Sequence, residues 1–409
     1  MKVKSLFLSI CAIAALASCS KNEDIVTHAG SEAAEAKVTL KLEGDGTVTR
    51  AGGTQEPADE TGAAIKDVTV FFFNATGFIV GSPQYIQVAN LGNPITTTTD
   101  AAEVVVIANL GGGSVSTKFN GVSSLEQLKK VDFSSIADAS GVKSVNQSKD
   151  NLYSSGAAEI TFNDEVGTAT VQLHFVVAKV KTVKISWTAG QNYAATEDEL
   201  TADKDKWFAI KQVYMMTAQT NSPLIPSNTT DASWGGFVPQ AYAFAGGVAW
   251  GTAPWVWPAD AGTAPVQTSD YLVTSMPSAT GNAIANVLGE NASHKAWYMF
   301  ENSPASGHST GLVVEVLWRS VDQSTDANDI LTKYFTVYFG EKAGIGTQPL
   351  LKAGNTYDMA IGLNGDFTPG GNAGGGGDDP TKPSVDATVT VTVNAAQWTT
   401  TAEISKDFQ

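Results

Sequence analysis

The sequence predicts a mostly β protein built from two β-sandwiches. Runs of β-branched and aromatic residues of strand length recur along the chain, Gly, Asn, Asp and Pro separate them, and helical periodicity is scarce. The chain has 409 residues. Because single hydrophobic cores stop growing near roughly 250 to 300 residues, this length favours two domains.

The predicted strands share this composition and occupy residues 68–73, 103–108, 169–177, 180–187, 207–214, 296–300, 312–318 and 334–339. The clearest helical segment is 125–131, where Ser123 and Glu126 have the spacing of a capping box. Size alone suggests a boundary near residues 165–180, which we place at residue 168. This boundary gives an N-terminal domain of residues 51–168 and a C-terminal domain of residues 169–368.

The N-terminus has the pattern of a bacterial export signal. Lys2 and Lys4 precede an apolar segment, residues 6–17, that is too short to anchor a protein across a bilayer. It ends in Leu-Ala-Ser-Cys at residues 16–19, which resembles a lipobox, so we predict removal of residues 1–18 and acylation of Cys19. A plain signal peptide with a chance cysteine is the alternative. The other cysteine, Cys11, lies in the signal, so no disulfide is expected in the mature protein.

The formal net charge is −16. Residues 1–50 contain equal numbers of basic and acidic side chains, so the part of the chain after Arg50 carries the imbalance. Such acidity argues against nucleic-acid binding and favours solubility of an exported protein.

Arg50 is one of two arginines in the chain. The other, Arg319, ends an apolar run that predicts a buried strand, so a protease specific for arginine would find one accessible bond, Arg50–Ala51. Compositional bias toward lysine is the alternative explanation. The flanks favour processing, because a strand-like segment, residues 37–42, precedes Arg50 and a turn-rich stretch, residues 51–57, follows it.

Residues 369–384 are predicted to be a glycine-rich linker, since glycines add nothing to a core and gain entropy when mobile. Glycine and aspartate also occur in calcium loops, but the spacing fits neither an EF-hand nor a nonapeptide roll. Residues 385–409 follow as a C-terminal tail.

Two segments near the chain ends predict amphipathic strands with one apolar face. In the tail, this face consists of Val385, Ala387, Val389, Val391, Val393 and Ala395. Before Arg50, it consists of Val38, Leu40, Leu42, Gly44, Gly46 and Val48. The tail could fold back on its own domain or reach a neighbouring molecule, and the sequence leaves both open. If cleavage at Arg50 removed the first strand, the vacated groove could accept the tail of another copy, and this heterologous contact would build a filament.

With these features together, the chain resembles the type V pilins, the family of fimbrillin or major fimbrial subunit lipoproteins. The similarity is carried, in order, by the lipobox, residues 38–51, residues 68–74, residues 175–180, residues 297–302, residues 352–357 and residues 389–398. It implies two transthyretin-like β-sandwich domains in tandem, followed by the linker and a donor strand. It also implies a lipidated precursor at the outer membrane, cleavage by an arginine-specific, gingipain-like protease, and donor-strand exchange. The products are extracellular fimbriae for adhesion and biofilm formation.

The resemblance also assigns roles to residues. Cys19 would carry the lipid, Arg50 and Ala51 would form the processing site, and residues 19–50 would be a propeptide. The displaced strand would present Val38, Leu40, Leu42 and Val48, and the donor strand would present Val385, Val389, Val391, Val393 and Trp398. Partners would be other copies of the chain and anchor and tip subunits. A stalk subunit fits best, because anchor subunits keep their first strand and tip subunits often lack the tail.

We predict no enzymatic activity, cofactor or metal. The four histidines, His28, His174, His294 and His308, have neither metal-ligand spacing nor a nucleophile motif near them. The aromatic stretch from Trp234 to Pro258 supports an alternative. Exposed tryptophans stack on sugars, although they equally pack a loop onto its domain. A surface carbohydrate-binding lipoprotein, or a tip or accessory fimbrial subunit, is therefore the alternative function.

Overall fold

β-Strands dominate the described part of the chain, and the predicted mostly β class is confirmed. The computed structural model describes residues 33–44, 65–111, 118–133, 152–219, 221–225, 244–246, 266–267, 271–289, 292, 296–301, 310–339, 351–381 and 388–394. None of the helices in these ranges is long and apolar enough to cross a membrane.

The first sheet is built from the N-terminal strands. In chain order these are β1 (Glu35–Gly44), β2 (Asp67–Asn74), β3 (Gln84–Gln87), β4 (Ile95–Thr98), β5 (Ala101–Ala108), β6 (Ser154–Glu159), β7 (Thr161–Asn163) and β8 (Val166–Phe175). They lie in the order β3-β2-β5-β6-β8-β1-β4, and β7 pairs with β8. Buried side chains of β1, β2, β5 and β8 share one hydrophobic cluster, so the sheet folds over on itself.

The later strands form two further sheets. They are β9 (Val177–Trp187), β10 (Tyr193–Ala194), β11 (Phe208–Met216), β12 (Ala218–Gln219), β13 (Phe244–Gly246), β14 (Val266–Gln267), β15 (Leu272–Val273), β16 (Ala283–Leu288), β17 (Trp297–Phe300), β18 (Gly311–Arg319), β19 (Ile330–Tyr338), β20 (Thr356–Leu363) and β21 (Thr388–Asn394). The second sheet has the order β10-β11-β18-β19, with β15 beside β11. The third has the order β14-β13-β12-β17-β9-β20-β21, with β16 beside β9. Side chains of both sheets fill one large hydrophobic cluster between them.

A separate cluster joins the first sheet to the later part of the chain. Phe71, Phe73, Val105 and Ile107 point away from the first sheet's own core and share this cluster with Phe300 of β17. Strands β2 and β5 are therefore buried on both faces. This double burial explains why β2 is a continuous apolar run instead of an alternating one.

Each predicted strand coincides with an observed one, within a few residues at the ends. The predicted strand at residues 169–177 is an exception in detail, because the chain leaves the first sheet after Phe175 and enters the third sheet at Val177. The proposed boundary at residue 168 thus falls inside β8, and the passage between sheets occurs at the buried Val176. The division into two tandem domains stays a prediction.

Two short α-helices lie within the described ranges, α1 (Leu125–Leu128) and α2 (Glu197–Ala202), together with 3-10 turns at Val88–Asn90, Ala327–Asp329 and Ala373–Gly375. The predicted capping box of α1 is wrong by one residue. The N-cap is Ser124, whose hydroxyl accepts from the backbone N–H of Gln127. The Gln127 side chain in turn accepts from the backbone N–H of Ser123 at 2.6 Å. Serine occurs at both positions and Gln127 follows Glu126, so both spacings satisfy the motif.

The glycine-rich segment is anchored as far as residue 381, so the expectation of a mobile linker is wrong for residues 369–381. Gly377 and Tyr334 of β19 exchange backbone hydrogen bonds of 2.9 and 2.8 Å. Farther along, the Thr336 hydroxyl donates to the Pro380 carbonyl and the Tyr338 hydroxyl donates to the Thr381 carbonyl, both at 2.7 Å. We call residues 369–381 the strap. It covers the outer edge of β19, which would otherwise present unpaired backbone groups.

Two glycines of the strap with positive φ provide a test of whether the strap is anchored. Gly374 has φ +65°, and a Cβ there would overlap the ring of Phe367, whereas Gly370 has φ +80° and open space around it. We expect Gly374→Ala to lower the free energy of unfolding by about 2–4 kcal/mol, from left-handed strain plus overpacking, and Gly370→Ala by about 1–2 kcal/mol from strain alone. Urea unfolding of both variants measures the difference. Equal and negligible effects would indicate a mobile linker.

Candidate functional site: the slot of the first strand

Strand β1 lies inside the first sheet and has a hydrogen-bonded neighbour along each edge. It runs parallel to β8 over residues 37–44 and antiparallel to β4 over residues 35–38. The strand is therefore not an edge strand. Its removal would leave a slot between β8 and β4, with unpaired backbone groups on both sides.

The predicted amphipathic pattern of β1 is confirmed. Val38, Leu40 and Leu42 are 0%, 8% and 2% exposed and belong to the core of the first sheet, whereas Lys37 and Lys41 are exposed. Burying a side chain of the Val or Leu type contributes about 1.5–3 kcal/mol. Loss of β1 would thus uncover a continuous apolar floor. The remaining residue assigned to this strand, Val48, lies outside the described residues.

The buried side chains of β8, which borders the slot, increase in size along the strand. The residues of β8 that face the core are Gly167, Ala169, Val171 and Leu173. In the parallel register they lie opposite Val38, Leu40, Leu42 and Gly44 of β1. Gly167 and Ala169 are thus smaller than the residues opposite them, Val171 and Leu42 are both large, and Leu173 lies opposite a glycine. We call this arrangement the graded floor.

Gly167 lacks a side chain because its neighbours occupy the space. A Cβ at this position would lie 2.7 Å from the Phe162 ring, 2.9 Å from Val38 and 3.0 Å from Ile160. Real Cβ atoms do not approach other heavy atoms this closely, so Val38 packs where a Gly167 side chain would stand. The strand predicted from the sequence begins at residue 169 and so does not include this position. The alternation of small inward residues with Thr168, Thr170 and Gln172 was the available signal.

The segment predicted to be the donor strand contains β21, which pairs with a strand of its own chain. It runs antiparallel to β20, with Val389, Val391 and Val393 opposite Ile361, Met359 and Tyr357. Among the described residues, β20 is the one strand that pairs with β21. The structure therefore brings β1 and the tail to different sheets. Val385 and Trp398 lie outside the described residues.

The processing and lipidation residues, Arg50, Ala51 and Cys19, also lie outside the described residues, as do the aromatic stretch 234–243 and 247–258 and three of the histidines, His28, His294 and His308. Their assigned roles stay predictions. His174 lies on β8 and is half-buried. No group of three or more His, Cys, Asp or Glu side chains within the described ranges is arranged to hold a metal ion.

The second arginine is buried, as the sequence predicts. Arg319 ends β18 and is 1% exposed. Its guanidinium donates hydrogen bonds to backbone carbonyls: to Lys206 at 3.0 Å, to Asp203 at 3.3 Å, and also to Leu200 and Ser324. Two of these carbonyls, those of Leu200 and Asp203, lie at the C-terminal end of α2, where a helix favours a cation. The bond after Arg319 is consequently inaccessible to a protease in the folded protein.

Three tyrosines of β11 and β19 form a second group of polar side chains in the described part of the chain. Tyr214, Tyr334 and Tyr338 are buried together. Burial is the largest cause that raises the pKa of each hydroxyl, and the nearby carboxylate of Glu315 or Asp379 raises it further. The Glu315 carboxylate accepts from the Gln212 side-chain amide at 2.7 Å and pairs with Lys211 at 3.5 Å. These tyrosines stay protonated at neutral pH, so the cluster acts as a packed structural group.

The fold is similar to that of solved bacterial proteins. A candidate cell adhesion protein from Bacteroides eggerthii is 19% identical with a TM-score of 0.57, and the match covers 90% of this chain and 98% of that one. A candidate cell adhesion protein from Parabacteroides distasonis is 14% identical with a TM-score of 0.51, covering 90% and 100%. A fimbrilin from Porphyromonas gingivalis is 16% identical with a TM-score of 0.49, covering 88% and 96%. No curated protein matches the sequence. At these identities, the first two similarities establish a shared mostly β fold.

A sequence comparison gives a further similarity for one part of the chain. Residues 36–175 match the family model described as major fimbrial subunit protein (FimA). This segment starts within β1 and ends with the last residue of β8, so it contains the slot, the graded floor and the strands on either side. For this part of the chain, the match confirms the resemblance to fimbrial subunits that the motifs predicted.

Proposed function

We propose that the chain is a structural subunit of cell-surface fimbriae, that it assembles with other fimbrial subunits, and that it serves as a stalk subunit in adhesion and biofilm formation. The observation that carries the proposal is the position of β1. It is an internal strand of the segment that matches the fimbrial subunit family, and it precedes the predicted cleavage site at Arg50. Most internal strands are covalently joined to the rest of the fold at both ends, so a single cleavage does not release them.

The precursor is processed at one bond. Cys19 holds the acylated precursor at the outer membrane, and an arginine-specific protease cuts between Arg50 and Ala51. Selectivity for this bond is supported by the burial of the other arginine, Arg319, whose guanidinium is hydrogen-bonded to backbone carbonyls. Lysine supplies the other basic side chains, and they are not substrates for such a protease.

After cleavage, β1 is held by non-covalent contacts alone. The slot offers a replacement strand pairing along two edges and an apolar floor, whereas β21 pairs with β20 along one edge among the described residues. Once β1 has left the slot, exchange of the tail from β20 of its own chain to the slot of a neighbour gains backbone hydrogen bonds, at about 1 kcal/mol net each. Slot and tail lie on different surfaces, so each addition leaves a new slot or tail free and the assembly grows as a filament.

The proposal is tested with purified precursor and an arginine-specific protease. We expect a new N-terminus at Ala51, followed by ladders of multimers that survive mild heating in detergent. Deletion of residues 385–409 should leave cleavage at Arg50 intact and abolish the ladders. Circular dichroism of the deleted variant serves as the control for folding. Ladders of undiminished size without the tail would contradict donor-strand exchange.

A further inference from the structure

The tail is joined to the rest of the subunit through the strap. After β20 the chain leaves the third sheet, runs along the outer edge of β19 in the second sheet, and returns as β21 to pair with β20. Tension on the residues beyond β21 is therefore carried first by the pairing of β21 with β20. Once that pairing opens, the strap carries the whole load, because it is the covalent connection between the tail and the two sheets.

The half of the strap nearest the tail is held by polar contacts. Gly377 and Tyr334 exchange two backbone hydrogen bonds, and the carbonyls of Pro380 and Thr381 each accept a hydrogen bond from a hydroxyl of β19 at 2.7 Å. Water can replace these partners once the strap lifts, so opening leaves no polar group unsatisfied. A segment with exposed backbone hydrogen bonds and few buried apolar contacts opens at a lower free energy than a core strand.

The other contacts of the strap bury little apolar side chain. The Asp378 carboxylate pairs with Lys333, but its side chain is 84% exposed, so water screens the pair. Gly376 lies against the ring of Phe335, where a Cβ would come within 2.9 Å. Within the strap, the hydrophobic cluster between the sheets includes Ala373, whose side chain is a single methyl group. The strap is therefore attached along β19 without a large side chain that anchors it.

Phe367, two residues before the strap, is attached in a different way. Its side chain is fully buried in the cluster between the second and third sheets, and its ring stacks on that of Phe208 with 4.1 Å between the ring centroids. Its backbone N–H donates to the Gln191 side chain at 3.1 Å, and its carbonyl accepts from the Trp318 indole at 3.0 Å. Withdrawal of this ring would leave a cavity in the core, which costs more than parting the polar contacts of the strap.

We propose that the strap is a reserve of length in the subunit: tension on the tail detaches the strap from β19, and detachment ends at Phe367 with both sheets intact. This inference rests on the proposed function, which supplies the tension, and adds to it a response of the subunit to load. When extended, residues 368–381 span at most about 50 Å, since each residue adds about 3.3–3.6 Å. Each subunit can thus lengthen before its core is exposed.

The order of release follows from the direction of the load. Thr381 is nearest the tail, so its hydrogen bond to β19 is loaded first, and the pair formed by Gly377 and Tyr334 is loaded later. The strap therefore peels from its end, and its contacts break a few at a time. Strand β18, by contrast, is paired with β11 along one edge and with β19 along the other, so its removal breaks two ladders together. The strap should yield long before such a strand.

Stretching single molecules of the uncleaved, full-length protein between peptide tags at its two ends measures the reserve. Cys11→Ser and Cys19→Ser replacements remove the native thiols. After β21 has left β20, we expect a further extension of up to about 50 Å before either sheet of the sandwich unfolds. Unfolding of the sandwich directly after the release of β21, without this step, would overturn the proposal.

A disulfide across the strap identifies the step. Tyr334→Cys with Gly377→Cys joins a hydrogen-bonded antiparallel pair, in which Cα atoms lie about 5.5 Å apart, within disulfide range. A Cβ at position 377 has room, because it meets no atom closer than 3.9 Å. The closed disulfide retains residues 368–377, so the step should shorten by about 35 Å, and reduction should restore it. A step of unchanged length in the oxidised protein would assign the extension to another part of the chain and overturn the proposal.

A second variant keeps tyrosine at position 334 and glycine at position 377. Thr336→Val with Tyr338→Phe removes the two hydroxyls that donate to the strap and retains side chains of similar size. At a fixed force, we expect the strap to detach about tenfold faster, with the same gain in length. Detachment at the rate of the parent would show that these contacts do not hold the strap, and would contradict the proposal.

The outcome for the proposed function is read separately, because stretching the uncleaved monomer requires neither cleavage nor assembly. Cleaved protein that forms multimers, combined with a missing strap step, overturns the reserve of length alone. Cleaved protein that forms no multimers contradicts the proposed function and removes the source of tension. The role proposed for the strap would then be wrong even if the step were observed.

Discussion

Replacement of Arg50 with alanine is expected to leave the protein monomeric in the presence of an arginine-specific protease, with complete loss of detergent-resistant multimers. The reason is that β1 stays covalently joined to the rest of the chain. A tethered strand has a high effective concentration at its own slot, which the tail of another molecule at ordinary protein concentrations cannot match. Denaturing gels after mild heating, together with the mass of the product, measure the effect.

A second variant separates cleavage from any other role of the arginine. Arg50→Ala combined with Thr49→Arg moves the cleavage site by one residue and should restore both cutting and multimers. If the Arg50→Ala protein polymerises as readily as the parent, activation by proteolysis is wrong. If the moved site is cut without restoring multimers, the release of β1 is not sufficient for assembly.

The local features of this fold were predictable because they depend on short stretches of sequence. The alternation in β1 predicts a strand with one buried face, and the apolar run that ends at Arg319 predicts a strand buried on both faces. The burial of Arg319 follows from the apolar residues that precede it in β18. The backbone carbonyls that accept hydrogen bonds from its guanidinium explain why a buried charge is tolerated there.

The neighbours of β1 were not predictable. Its partners β8 and β4 lie far from it in the chain, and one of the two pairings is parallel, so neither hairpin spacing nor periodicity indicates the order of strands in the sheet. For the same reason the importance of Gly167 was not visible. Its lack of a side chain matters because Val38 and Phe162 meet there, and only the folded chain brings them together.

For the strap, the composition of the sequence predicted mobility, and this prediction was wrong. Glycine-rich composition indicates that a segment lacks core-forming side chains, and it is often taken to indicate mobility. Anchoring, however, depends on backbone partners, and Tyr334, Thr336 and Tyr338 of β19 supply them. An anchored strap also shortens the reach of the tail, since the segment that joins the strap to β21 begins after Thr381. A donated tail should therefore enter a slot held close to the strap.

Arg319→Met is expected to lower the free energy of unfolding by about 3–5 kcal/mol. The methionine fills part of the volume but donates no hydrogen bond. The buried carbonyl of Leu200 and the carbonyls of Asp203, Lys206 and Ser324 therefore lose their donor, at about 1–3 kcal/mol for each group that stays unsatisfied. The end of α2 also loses the cation that complements it. The midpoint of urea unfolding, with an unchanged slope, measures this change.

Arg319→Lys is the matched control. Lysine keeps the charge but carries one nitrogen instead of the planar fork, so it reaches some of these carbonyls and not all. We expect it to lose roughly half as much stability as Arg319→Met. A loss below about 1 kcal/mol for Arg319→Met would show that water or a shifted backbone satisfies the carbonyls as well as the guanidinium does.

The Arg319→Met variant also tests whether burial of the side chain at position 319 confines processing to Arg50. Under native conditions, an arginine-specific protease should cut the parent and the Arg319→Met protein at the same single bond, because the guanidinium of Arg319 is out of reach. In urea concentrations that unfold the parent, a second cut after Arg319 should appear in the parent and remain absent in the variant. If the folded parent were cut after Arg319 as fast as after Arg50, the chain would be severed within β18, and a single activating cleavage would no longer explain how β1 is released from an intact subunit.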